Sequence, residues 1–137
     1  MSIGLTASWP VNWFREDALI NVGASELRGE NLNTKVRAQV PRQRVHPRSL
    51  VNRFNDLQGE FVRLCRQLFA RGWTRHHVIV CLTGLDEGGH TEIEIRAVRE
   101  AAMGAGLRKI WLVSGPLVAT EARQIFSSGK PPSGVLP

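Results

Sequence analysis

The run Val78-Ile79-Val80-Cys81-Leu82 is followed, after a polar loop, by Thr91-Glu92-Ile93-Glu94-Ile95-Arg96-Ala97-Val98-Arg99-Glu100-Ala101-Ala102 and then by Ile110-Trp111-Leu112-Val113. Five consecutive apolar residues, most of them β-branched, suit a strand covered on both faces, since such a strand has no solvent side for polar residues. Thr91 and Glu94 have capping-box spacing: the hydroxyl reaches the amide of Glu94 while the carboxylate returns to the amide of Thr91. A helix is expected from there. Ile93, Ala97, Ala101 and Ala105 fall on one side of it with Val98 and Ala102 beside them, and the alanines permit close approach to a sheet. Gly106 closes the helix, and Gly115-Pro116 ends the second buried strand. Strand, helix and strand within about 36 residues predict a right-handed crossover joining two parallel strands.

Upstream of this unit, Ala18 to Val22 is a short apolar run ending at Gly23, and Lys35 to Val40 alternates polar with apolar residues. Period two is the signature of a half-buried strand, so the two stretches read as a hairpin with its turn at Arg28-Gly29-Glu30-Asn31. Pro41 to Pro47 reads as a basic connector. Leu50, Phe54, Leu57, Phe61, Leu64 and Leu68 then recur at steps of four and three, which predicts an amphipathic helix over 47–70 with Glu60 off the apolar stripe. A further short helix is expected over 117–126. The tail, 127–137, contains Pro131, Pro132, Pro137, Gly129 and Gly134 and reads as disordered. The expected architecture is α/β: a small mixed sheet with an N-terminal hairpin, an amphipathic helix and a parallel βαβ unit, over residues 1–126 and best defined over 77–126.

A chain of 137 residues with 42% apolar content can build one ordinary core. Cys65 and Cys81 lie in apolar runs without metal-ligand spacing, so they read as reduced core residues. No signal-peptide pattern and no membrane-length apolar stretch is visible, which leads to the expectation of a cytoplasmic protein. The net charge is +6, and arginine greatly outnumbers lysine. That balance suits phosphate or carboxylate partners, because guanidinium groups make bidentate contacts. Arg42, Arg44 and Arg48 around the connector are the candidate partner-binding residues, for an acidic protein face, a nucleic acid or an anionic membrane surface.

The stretch from Val78 through Thr91 to Val113 resembles the first-domain core of MreB, the rod shape-determining actin-like protein of bacteria. There a buried strand leads to a helix with a Glu-Arg-Arg-Ala-Ile-Arg-Glu-type core, a Gly-Ala-Gly end and a strand running to Glu-Glu-Pro; here the matching residues are Arg96-Ala97-Val98-Arg99-Glu100, Gly104-Ala105-Gly106 and Ser114-Gly115-Pro116. DnaK-type chaperones share that fold, but these details favour MreB. The resemblance implies a partial actin-like subdomain with two phosphate-binding hairpins, ATP and magnesium as family cofactors, and a water-orienting glutamate that falls on Glu94. Gly23 lies near the first phosphate loop, while Gly84, Gly88 and Gly89 form a second glycine-rich loop before a helix. The family's magnesium-associated aspartate aligns with Asn21, and the given sequence stops where the second phosphate loop would begin. Expected, then, is a protein of MreB type that acts by association, as a homo-oligomer or on a filament, rather than by autonomous ATP hydrolysis. Residual ATP binding and a basic nucleic-acid-binding module are the alternatives.

Overall fold

The computed structural model describes residues 15–42, 54–83 and 92–136. In chain order these contain β1 (Asp17–Val22), β2 (Glu26–Asn31), β3 (Arg37–Pro41), α1 (Phe54–Leu68), β4 (His77–Leu82), α2 (Glu92–Gly104), β5 (Lys109–Ser114) and α3 (Ala119–Ser128). The strands form one sheet in the order β3-β2-β1-β4-β5. β1 and β2, and β2 and β3, pair antiparallel, whereas β1 with β4 and β4 with β5 pair parallel. The chain is a small α/β protein with a mixed sheet, and the βαβ unit is β4-α2-β5.

Alternation along β4 explains its unbroken apolar run. Val78, Val80 and Leu82 join Ala18, Ile20 and Val22 of β1 under α1 and α2, while Ile79 and Cys81 turn to the other face, with Leu19 and Val113, beneath Ala122 of α3. Each face of a central strand thus has its own cover, and both sets of side chains leave water. α3 covers less of its face than α1 and α2 cover of theirs. It lies over β4, β5 and Leu19 and touches β2 through the Arg123–Glu30 ion pair, and among the described residues no helix packs over the outward side chains of β3.

Several elements differ from the sequence reading. Arg28 to Asn31 is not a turn but part of β2, so the N-terminal piece is a three-stranded meander with its turns at 23–25 and 32–36. Gly29 serves a close approach instead, since a Cβ there would lie 2.5 Å from Leu68 Cδ1 of α1. The α2 stripe is rotated from the expected one. Glu94, Ile95, Val98, Ala101, Ala102 and Ala105 are buried, and Ile93 is 80% exposed. Ile95 wins the core position over Ile93 because it falls in line with Val98 and Ala102 at helical spacing. In α1, Leu57, Phe61, Leu64 and Leu68 are buried as the periodicity predicts, but Glu60 is buried too, at 1% exposure. Leu50, Thr91 and the start of the predicted helix at 47–53 lie outside the described residues.

The tail is placed rather than loose. Gly129 caps α3 with φ 71°, and the chain returns so that Val135 bridges Val113 of β5 in antiparallel sense. Leu136 donates its N–H to the Leu112 carbonyl at 2.8 Å, its side chain packs on the main core, and Arg99 Nη2 donates to its carbonyl at 3.0 Å. The apolar Val135-Leu136 pair, rather than the prolines before it, decides this course. Pro137 lies outside the described residues.

Two polar side chains fasten helix ends to the sheet layer. Asn31, 1% exposed, donates to the Leu68 carbonyl at the end of α1 and accepts from the amides of Asn33 and Thr34 in the β2–β3 turn. Trp73 Nε1 donates to the Ala105 carbonyl at 2.8 Å, where α2 closes with Leu107 N–H bonded to Ala102 and Gly106 N–H to Met103. Gly106 has φ 111°, in the region that favours glycine, and a Cβ there would meet Trp73 Nε1 at 2.8 Å.

Candidate functional site

In an open α/β sheet, connections leave neighbouring parallel strands toward opposite sides at one point, and the crevice at their carboxyl ends there is a natural ligand position. Here that point lies between β1, whose chain continues to β2, and β4, whose chain continues through α2 to β5. A depression of about 450 Å³ opens at this place, lined by Asn21, Gly23, Ser25, Glu26, Arg28, Thr83, Pro116 and Leu117. It adjoins a groove of about 650 Å³ on the uncovered sheet face, where Asn21, Arg28 and Leu117 recur with Glu30, Arg37 and Gln39.

The crevice floor is rigidly held. Gly23 N–H donates to the Glu26 carbonyl at 3.0 Å to close the β1–β2 turn, and a Cβ on Gly23 would stand 3.2 Å from that carbonyl oxygen. Thr83 donates both its N–H and its hydroxyl to the Val22 carbonyl, at 2.9 and 3.1 Å, which ties the end of β4 to the end of β1. Gly115, with φ 84°, donates its N–H to the Leu82 carbonyl and turns the chain toward Leu117. Arg42 Nη1 donates to the Gly23 carbonyl at 2.8 Å while its Nε donates to Glu60 Oε1 at 3.0 Å. The Arg42 and Glu60 side chains are 2% and 1% exposed.

That arrangement redistributes the residues expected to act. Gly23 stands in the crevice. Arg42 does not face a partner; it braces the crevice from beneath, a role visible only once β3 and α1 are packed together. Glu94 is buried at 7% exposure in the first turn of α2 and lines neither the depression nor the groove. Gly84, Gly88, Gly89, Arg44 and Arg48 lie outside the described residues. Thr83, Glu26 and Arg28 belong to the crevice although no motif singles them out. Thr83 directly follows the apolar run of β4, and that position was the one available signal.

Among the described residues, the ionisable side chains lining the crevice are Glu26 and Arg28, and these form an ion pair with each other. Asn21, Ser25 and Thr83 add neutral polar groups beside them. Asn21 Oδ1 is buried without a hydrogen-bond partner, an acceptor that a donor group in the crevice would satisfy. Among the described residues, the oxygen donors it offers to hydrated magnesium are the neutral Asn21 carboxamide, the Ser25 and Thr83 hydroxyls and the Glu26 carboxylate already engaged by Arg28. Among the described residues no group of three or more histidine, cysteine, aspartate or glutamate side chains is placed to hold a metal ion.

Fold and site together define a small α/β protein with a crevice at the switch point of its sheet and one half-covered sheet face. No protein-family profile matches the chain, and no curated protein matches it significantly in sequence. Among the described residues no helix is long and apolar enough to cross a membrane.

Proposed function

We propose that the chain is a non-catalytic actin-like protein of the MreB type that works by protein association in the bacterial cell-shape cytoskeleton. The observation that carries the reading is the pairing of charges in the crevice. Where an actin-like ATPase would be expected to hold magnesium and phosphate, this chain presents the neutral Asn21 and a closed Glu26–Arg28 pair. The resemblance over 78–113 supplies the family, and the βαβ unit with its adjoining meander agrees with the subdomain that the resemblance implies. The outward face of β2 and β3, open beside α3 among the described residues, supplies the means of association. Glu26, Arg28, Glu30, Arg37 and Gln39 project from it in mixed sign, and Glu30 already bridges Arg37 and Arg123 at 3.3 Å each. A surface of interspersed charges favours a specific partner over indiscriminate adsorption.

Co-sedimentation with polymerised MreB-type filaments tests the reading. The chain is expected to pellet with the filaments, and Arg28→Glu with Arg37→Glu to abolish pelleting while leaving the fold intact by circular dichroism. A chain that stays in the supernatant at every filament concentration removes the proposal.

A second reading rests on the unpartnered Asn21 oxygen, which suits retention of a nucleotide without hydrolysis. Calorimetry with ATP and magnesium decides it. Binding heat that is lost in Asn21→Leu and kept in Glu94→Ala supports nucleotide in the crevice, whereas no heat with the wild type eliminates it. The nucleic-acid alternative draws less support, since Arg42, one of its principal residues, is committed to Glu60 and Gly23.

A further inference from the structure

The two edges of the sheet are protected in different ways. On β3 the hydrogen-bonding pattern turns the backbone groups of Ala38 and Val40 toward β2, as Asn31 N–H to Val36 and Arg42 N–H to Ser25 show at either end. Arg37 and Gln39 therefore present the outward amides, and Pro41 has none to offer. A short edge with an arginine and a proline is a poor template for another strand. On β5, Gly115 N–H points to Leu82 of β4, so alternation turns the backbone groups of Ile110, Leu112 and Ser114 outward. The sequence there, Ile110-Trp111-Leu112-Val113, has no charge and no proline. Its protection is the carboxyl-terminal segment: Val135 opposite Val113, Leu136 N–H on the Leu112 carbonyl, and Arg99 on the Leu136 carbonyl.

We propose that residues 130–136 are a removable guard on the β5 edge, and that the uncovered edge joins two copies of this chain by antiparallel β5–β5 pairing. The segment itself shows that the edge accepts an antiparallel partner. A second β5 is complementary to the first about a two-fold axis, because each copy supplies the outward donors and acceptors that the other lacks. Among the described residues the guard is held by one bridge, the Leu136 N–H on the Leu112 carbonyl, one arginine contact and one half-buried leucine, a hold that a longer strand can displace. Pro131 and Pro132 keep the link from Gly129 extended, so that the segment can swing away without unravelling α3. The inference stands on the geometry of β5 and is independent of the MreB-type reading.

Sedimentation velocity on the whole chain and on a chain ending at Gly129 tests it. The wild type is expected to be monomeric at concentrations where the shortened chain dimerises, with self-association tightened by about tenfold or more. Ile110→Pro in the shortened chain removes an outward N–H together with a side chain that packs on the main core, and, with the fold kept by circular dichroism, is expected to restore the monomer, as is an added peptide of residues 129–137. A folded, shortened chain that stays monomeric overturns the proposal, and so does a dimer indifferent to Ile110→Pro. A wild type that dimerises with its tail in place overturns the guard as well. If the shortened chain does not fold, full-length Leu136→Pro, which loses the N–H to Leu112, decides in the same way: dimerisation supports the guard and a persistent monomer rejects it.

Discussion

Arg42 and Glu60 form an ion pair in a place that solvent barely reaches, and that setting governs what substitution does. Removing Arg42 takes a charge-assisted hydrogen bond from the buried Glu60 carboxylate, so Arg42→Ala is expected to cost about 1.5–3 kcal/mol in urea denaturation. Arg37 also pairs with a glutamate, but it is 79% exposed, and Arg37→Ala is expected to change stability by no more than about 0.5 kcal/mol. Equal losses in the two variants would show that burial does not control the first pair. Trp73 offers a second contrast. Trp73→Phe loses the bond to Ala105 and is expected to cost about 1 kcal/mol for that bond, with some packing lost besides. Gly106→Ala meets both a left-handed backbone and the Trp73 indole, and combined with Trp73→Ala it is expected to cost less than the sum of the two single changes.

At the scale of elements, Gly29 fixes the separation between β2 and α1. Gly29→Val places branched carbons where Leu68 lies and is expected to destabilise by about 1–3 kcal/mol, with Leu68→Ala recovering part of the loss by making room. No recovery in the double variant would mean that strain, not contact with Leu68, sets the cost. The same glycine shows why β2 was hard to read. Arg-Gly-Glu-Asn has the composition of a turn, and the reason for its glycine lies in a helix whose contact residues, Leu64 and Leu68, come more than thirty positions later. β4 and β5 were legible because a strand covered on both faces writes its burial into every residue. α1 was legible in its apolar stripe but not in Glu60, whose partner is defined by tertiary packing alone. In α2 the many small residues left the rotation of the buried stripe undetermined, and Ile95 and Leu107 settle it through the core they complete. The crevice was half legible: Gly23 marked the end of a strand, whereas Thr83 and Arg28 acquire meaning only from strand order.

For the molecule as a whole, two buried histidines at the end of the sheet opposite the crevice contribute to the response to acid. His76 is 5% exposed, lies against Phe69, and accepts the Glu16 N–H at Nδ1. His77 lies among Trp111 and Phe126 at centroid distances of 4.2 and 5.3 Å. Burial lowers the pKa of both from 6.5, with Glu16 and Asp17 opposing it at His76, and with Arg15 and Lys109 assisting and Asp17 opposing at His77. The unfolded chain therefore takes up protons first. The stability these residues support is present above 6.5 and is lost as pH falls through their folded values. Asp17 has the opposite sign: burial raises its pKa above 3.8 despite Arg15, so its contribution is present below 3.8 and lost as pH rises through the folded value. The urea midpoint is expected to drop between about pH 7.5 and about pH 5.5, and to drop less in His76→Asn, whose oxygen can still accept from Glu16. An unchanged slope in that variant would falsify the assignment.

The sheet also divides the two thiols. Cys65, on the buried face of α1, lies in the main core between that helix and the sheet, Cys81 in the smaller cluster beneath α3, and burial pushes each thiol up to about 12. Neither is reactive while its cover is in place. The molecule therefore contains two independent clocks, one for the opening of each face. Alkylation rates measured separately at the two positions are expected to differ, with Cys81 modified first, because among the described residues its cover is the short helix α3, which can lift without disturbing the other layer. Identical rates at all denaturant concentrations would mean that both layers open only together, as a single cooperative unit.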